Sequence, residues 1–311
     1  MLFSTLLGVI AFVFIFEFLA SYQYDKWKEE FTKSSDWYGM LTVSSENEVL
    51  LWEYRPNAVG EKLDVEIATN DYGFRDVYHK LDQPDSAYRI AFVGDSVTVG
   101  IGIEAESTFV RLFDDEANAV NRPVDVEVMS FSVDGYSGRQ VLELAREKAA
   151  AFSPDTIVYV LCMNDFDFER ASGQKQKYFK KPDNFFLRIV DRLYVKYLGG
   201  DYYEYSYQKN GLTVLSDIVQ TKEELQTKGI DFQVVLMPIF RFDETSAGYP
   251  LSWLHEEIAK KLTENDVSVI DLLPVLEQEA ALSTYGYDEW HLNNNGHRMV
   301  ADQLNEALLK P

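Results

Sequence analysis

The chain is poor in several residue types, and each shortage removes a class of protein. Its 311 residues include one cysteine, Cys162, so neither an intrachain disulfide nor a cysteine-based zinc site can form. Four histidines, His79, His255, His291 and His297, leave little material for a polyhistidine metal centre; no metal and no cofactor is expected. Positive charge is scarce, with 29 Lys and Arg against 51 Asp and Glu and a net charge of −22. Nucleic acid is thereby excluded as the main partner, because phosphate binding needs a basic face that releases counterions. There is no N-x-Ser/Thr sequon, no internal repeat and no low-complexity tract. With 46% hydrophobic residues, 14% aromatic residues and only nine prolines, the chain can bury a large core, which rules out wholesale disorder.

One long apolar run is present. Leu2 to Ala20 carries a single charge, Glu17, and at about 1.5 Å per helical residue it just reaches across a hydrocarbon core of roughly 30 Å. Glu17 lies one turn from the end of the run, and Tyr22, Tyr24 and Trp27 follow as an aromatic belt would. Residues 1–24 are therefore read as a single-pass membrane anchor, in contact with lipid through residues 2–20. A cleaved signal peptide is the rival reading, weakened by the missing basic n-region and the poor small-residue site at Ala20-Ser21. Lys26, Lys28 and Lys33 flank the C-terminal side of the run, and positive-inside taken literally would keep the body in the cytoplasm.

Residues 25–86 are polar and weakly periodic. Turn residues fall at Pro56-Asn57, Asn70-Asp71 and Gly73, and alternation over Leu63-Asp64-Val65-Glu66-Ile67 predicts a short strand with one wet face. This stretch is read as an extension packed on the main domain, residues 87–311. There, β-type runs alternate with helical ones: Tyr88 to Val93, Val124 to Met129, Thr156 to Leu161, Phe232 to Met237 and Val267 to Ile270. Helical patterns span Thr108 to Ala119, Ser137 to Phe152, Leu251 to Leu262 and Asn295 to Leu309. Such alternation predicts an α/β fold with a parallel, doubly wound, five-stranded sheet, whose chemistry gathers at the carboxyl ends of its strands. Residues 166–210, rich in Tyr, Phe and Lys, interrupt the alternation as an insertion.

The polar residues worth weighing stand where strands end. Gly94-Asp95-Ser96 closes the first strand and suits either a nucleophile on a tight strand-to-helix turn or a simple helix cap. No P-loop and no G-x-S-x-G elbow is present. After the second strand, Gly135 precedes a helix and can offer a backbone N–H to an oxyanion, or merely punctuate a turn. Asn164 follows the third strand, as an amide at the same edge or a cap. Asp288 precedes His291 by three residues, a spacing that lets a carboxylate bond Nδ1 and fix the tautomer, although a surface pair reads the same way. His291 and His297, six apart, do not align on a helix as a metal pair.

Ser after strand one, Gly after strand two, Asn after strand three and D-x-x-H before the last helix converge on one sheet edge. Together they resemble the SGNH (GDSL-type) serine hydrolase superfamily over about Tyr88 to Leu309, and Thr69 to Asp76 looks like an upstream segment of many bacterial members. The resemblance implies a flavodoxin-like hydrolase fold, with Ser96 as nucleophile, His291 as general base and Asp288 as its partner. It also implies an oxyanion hole from Ser96, Gly135 and Asn164. Two departures bear on substrate preference: Cys162 stands where a Gly usually precedes the third-block Asn, and Ser130 where the second block often carries Asn.

What the resemblance implies is a bacterial, extracytoplasmic serine esterase acting on an acyl ester, acetyl esters and acylated carbohydrates included. Two alternatives stand beside it: an acyltransferase on a cell-surface glycan, and a non-catalytic subunit that meets a membrane-protein partner through the anchor or the aromatic insertion. The insertion (Tyr178, Phe179, Phe185, Phe186, Tyr194, Tyr197) serves equally as a lid, a lipid contact or a satellite of the core.

Overall fold

A computed structural model describes residues 2–32, 40–84, 87–119, 124–168, 181–198, 201–240 and 249–309. The strands are β1 (Thr42–Ser44), β2 (Trp52–Tyr54), β3 (Val59–Lys62), β4 (Val65–Ala68), β5 (Ala87–Gly94), β6 (Asp125–Ser132), β7 (Thr156–Cys162), β8 (Asp231–Met237) and β9 (Ser268–Asp271). The helices are α1 (Leu2–Thr32), α2 (Ser96–Val99), α3 (Phe109–Ala119), α4 (Gly138–Glu147), α5 (Phe185–Tyr197), α6 (Tyr202–Thr227), α7 (Ser252–Thr263), α8 (Leu273–Glu279) and α9 (Asn294–Leu308).

β5 to β9 form one five-stranded sheet in the order β6-β5-β7-β8-β9, parallel throughout. All seven residues of β7 are buried, the expected state of a central strand covered on both faces. From β5 the chain steps outward to β6 and then returns past β5 to β7. Right-handed crossovers therefore put α3 on one face, where it packs on α9, and α4, α6 and α7 on the other. The reversal of direction opens a crevice beside the carboxyl end of β5, where ligands of such sheets bind. The expected α/β, doubly wound architecture is the observed one. Helix α4 is shorter than its apolar pattern suggested, because the chain tightens into a 3₁₀ turn over Ala149–Phe152 before Pro154.

The segment before the sheet corrects one expectation. Leu63 and Asp64 are not strand residues: both take positive φ (54° and 61°) and make the two-residue turn between β3 and β4. That conformation suits the right-handed twist of a hairpin. Leu41, Leu50, Trp52, Tyr54, Ile67 and Phe74 share the core of the sheet domain, and Gln140 Nε2 donates to Leu50 O at 2.8 Å. Within the region read as an insertion, the helix beginning at Tyr202 runs on past position 210 to Thr227 and is the crossover between β7 and β8. Tyr178 and Phe179 lie outside the described residues.

α1 continues beyond residue 24 to Thr32. Its stretch Leu7–Lys26 is long and apolar enough to cross a membrane, and none of it is buried in the protein.

A charged cluster holds the extension to the amino-terminal half of the sheet. Arg89, fully buried in β5, donates to Glu127 at 2.7 Å and to the carbonyls of Lys80, Leu81 and Phe152. Glu127 also meets His79 Nδ1 at 2.9 Å. Asp76 faces His79 and Arg111 and accepts the Ser130 N–H. Burial opposes the charging of His79, but bonds to Asp76 and Glu127 outweigh it and raise its pKa. A raised native pKa stabilises the fold fully below the unfolded value of about 6.5, and the contribution fades as pH climbs through the native value. The stability advantage of wild type over His79→Gln in urea should therefore be greatest below about pH 6.5 and shrink toward alkaline pH. An advantage independent of pH would contradict a charged His79.

Candidate active site

Ser96 opens α2 directly after β5, buried at the crevice. The turn is held from both ends. Asp95 caps the helix by accepting the Val97 N–H at 3.0 Å. Gly100, at φ 72°, ends it by returning its N–H to Ser96 O and Val97 O, a left-handed C-cap that a side chain would strain.

The second half of the site comes from a loop 195 residues away. Asp288 Oδ1 accepts the backbone N–H groups of Trp290 and His291, both at 2.8 Å, so the carboxylate folds its own loop into a tight turn. Its other oxygen meets His291 Nδ1 at 2.8 Å, and His291 Nε2 lies 3.0 Å from Ser96 Oγ. Burial works against ionisation of Asp288, yet the bonds from His291 and Trp290 prevail and hold its pKa below the ordinary carboxylate value. An ionised carboxylate only accepts, so Nδ1 carries the ring proton and Nε2 presents its lone pair to the serine hydroxyl. Tyr287 stacks on the imidazole (centroids 5.5 Å apart, planes 11° apart), and its hydroxyl donates to Ile101 O at 3.0 Å. The loop is thus pinned to the segment behind Ser96.

Two further groups stand at the same edge. Gly135 takes φ 79°, the left-handed region that favours glycine, in the turn between β6 and α4. Among the described residues no acceptor takes the backbone N–H of Ser96 or of Gly135. Asn164 Nδ2 donates to Asp95 Oδ2 at 2.8 Å, which uses one of its two amide hydrogens. Beneath it, Asp165 is wholly buried and accepts from Tyr159 OH and Cys162 N, each at 2.9 Å. Burial first, and then the Asp95 charge, push its carboxyl far above the ordinary range. Cys162, with Sγ 3.7 Å from Asp95 Oδ1, is buried at the position where a Gly is usual.

His297 belongs to the core. Its Nδ1 accepts the Phe109 N–H at 2.9 Å and the ring stacks on Phe109. Burial pushes its pKa down to about 3, with Arg75 and His291 adding to the effect. Among the described residues no cluster of His, Cys, Asp and Glu could hold a metal ion.

Sequence reasoning missed Arg75. It is buried behind α2, with Nη1 donating to Val99 O (3.1 Å) and Gly100 O (2.8 Å) and Nη2 to Ile103 O (2.8 Å) and Glu66 O (2.9 Å). One guanidinium therefore ties the extension to the carbonyls that end the serine-bearing turn. The Thr69 to Asp76 segment was visible in the sequence, but nothing local says what its arginine grips. Tyr203 was missed as well: it donates to Glu289 and accepts from Trp290 Nε1, joining the first turn of α6 to the His291 loop.

The family described as GDSL-like Lipase/Acylhydrolase matches residues 92–299. No curated protein matches the chain. Among solved structures it is similar to an acetyl xylan esterase at 16% identity, over 71% of this chain and 99% of that one, with a TM-score of 0.47. A lipolytic protein of the G-D-S-L family from Veillonella parvula DSM 2008 is similar at 18%, over 72% and 100%, with a TM-score of 0.46. The lipase/acylhydrolase from Enterococcus faecalis is similar at 14%, over 71% and 95%, also with a TM-score of 0.46.

Arg75→Met removes a donor from four carbonyls, and should lower stability in urea by about 3 kcal/mol and speed hydrogen exchange at the Gly100 and Ile101 amides. Wild-type stability and protection would show that those carbonyls do not need the guanidinium.

Proposed function

The chain belongs to the GDSL-like lipase/acylhydrolase family, and from that premise we propose that it is a membrane-anchored serine esterase in which Ser96, His291 and Asp288 act as a triad. The observation that carries the proposal is the unbroken relay from Ser96 Oγ to His291 Nε2 at 3.0 Å and from Nδ1 to Asp288 at 2.8 Å. An alcohol becomes a competent nucleophile when a base takes its proton during attack. Ser96 Oγ bonds to the acyl carbon while His291 Nε2 receives the hydroxyl proton, and Asp288 stabilises the imidazolium without being protonated. The tetrahedral oxyanion draws on the N–H groups of Ser96 and Gly135 and on the second hydrogen of the Asn164 amide. Its collapse breaks the ester C–O bond, and the alcohol leaves with the proton from His291. Water then enters the same way, giving up its proton to His291, and releases the acid and the serine hydroxyl. No step requires a cofactor.

Short acyl esters, acetylated carbohydrates included, are the substrate class proposed. An intact relay supports catalysis over a purely structural use of the fold. A retained anchor is supported by more than length: Glu17 accepts the N–H groups of Phe185 at 2.9 Å and Phe186 at 2.6 Å, a contact that a cleaved signal peptide would take away. The extracytoplasmic placement of the body rests on the family resemblance, against the lysines that follow the anchor.

A serine-reactive phosphonate should modify one peptide, the one containing Ser96. Ser96→Ala should abolish both labelling and hydrolysis of short esters, and Asp288→Asn should lower kcat by as much as about 10⁴. Labelling at another serine, or near-wild-type turnover by Ser96→Ala, would overturn the triad. Membranes carrying the full chain should keep it through high-salt and alkaline washes; recovery in the wash would remove the anchor.

A further inference from the structure

α5 poses a problem that the triad does not touch. Large apolar side chains line one side of it at substantial exposure: Leu193 is 49% exposed and Tyr197 68%, with Ile189, Val190 and Tyr194 alongside. At 100° per residue these five occupy an arc of about 140°. Arg188, Asp191 and Arg192 lie on the opposite side, and there Asp191 accepts from Tyr205 OH at 2.6 Å and Lys209 Nζ at 3.3 Å on α6. The polar side of α5 therefore faces the body, and the apolar side faces away from it except at its edge, where the Tyr194 ring meets Tyr205 on α6 with centroids 6.1 Å apart.

What lies on that apolar side follows from how α5 is attached. Its first turn is bound along α1: Glu17 takes the Phe185 and Phe186 N–H groups, Phe186 packs edge-on against Phe16 and Phe185 against Tyr24, and Lys181 pairs with Asp25 at 2.6 Å. The exposed surface of α5 thus begins at an apolar helix of which no part of the Leu7–Lys26 span is buried in the protein. If the aromatic and charged residues Tyr22 to Asp25 mark the water boundary, Glu17 sits about 10 Å below it, the depth reached by a helix lying in the interface. A carboxylate below the water boundary is costly, and the first amides and positive end of α5, to which Glu17 bonds, offset that cost. Charge agrees: in a chain of net charge −22, α5 has three basic residues, Arg188, Arg192 and Lys196, against one acid, Asp191. A helix of net positive charge suits anionic lipid headgroups.

We propose that α5 is an interfacial helix whose Ile189–Val190–Leu193–Tyr194–Tyr197 face lies in the boundary between lipid headgroups and acyl chains beside α1. This rests on the retained anchor. The contacts of α5 with α6, and of Tyr203 on α6 with the Trp290–His291 loop, then hold the catalytic crevice next to the bilayer, so that esters presented at a membrane surface are the substrates it meets.

Site-directed spin labelling tests this, since the chain's one native thiol is buried. Full-length protein carrying Leu193→Cys, Val190→Cys, Arg192→Cys or Phe12→Cys is labelled and reconstituted in phosphatidylcholine–phosphatidylglycerol vesicles. Relaxation by oxygen, which partitions into lipid, is compared with relaxation by a water-soluble nickel chelate. Labels at 12, 190 and 193 should respond several-fold more to oxygen, and the label at 192 more to nickel. A lipid-exposed label at 12 with nickel-accessible labels at 190 and 193 would overturn the interfacial helix and leave the anchor standing. Labels at 190 and 193 shielded from both reagents would mean a protein cover, and would equally overturn it. A nickel-accessible label at 12 would overturn anchor and interfacial helix together.

Discussion

The bond between Ser96 Oγ and His291 Nε2 joins side chains 195 residues apart, and most of the architecture serves to keep its two ends in register. Neither end places itself. Ser96 is aimed by a short helix, capped at one end by Asp95, closed at the other by Gly100 and gripped from behind by Arg75. His291 is aimed by a loop that Asp288 folds and Tyr287 pins to Ile101. Because the two supports meet at Ile101 and its neighbours, a displacement of either is resisted by the other. Preorganisation of this kind is what the proposed triad needs before substrate arrives.

Asp95 has a different task from the residues of the relay. It caps α2, receives the Asn164 amide and lies beside Cys162, so one carboxylate couples the ends of β5 and β7. That coupling brings Asn164 toward Ser96, and it also burdens the site: a second carboxyl, Asp165, is buried nearby and is driven toward its protonated form. A neutral acid there avoids a pair of like charges in a dry place.

Much of the sheet domain was legible in the sequence because its signals are local. A run such as Thr156 to Leu161 has no polar face to offer, so only a central strand accommodates it. The four motifs were legible jointly, since topology carries every strand end to one edge. Other features were not. Leu63-Asp64 reads as alternation, and only the pairing of β3 with β4 turns it into a hairpin bend. Arg75 acts on carbonyls, which have no signature in the sequence. The engagement of Asn164 with Asp95 and the capping of α5 by Glu17 link positions 69 and more than 160 residues apart, and no periodicity reports such contacts.

The position of Arg75 gives the upstream segment a standing that motif boundaries conceal. The family match starts at residue 92, yet the guanidinium that closes off the serine-bearing turn arrives from residue 75, on a strand-and-loop layer sharing the main core. A fragment excised at the match boundary would keep Ser96, Asp288 and His291 and lose the brace behind Ser96. In this chain the unit of inheritance and the unit of mechanical integrity do not coincide, and grafting the proposed active site onto another scaffold would have to carry residues from about 40 onward.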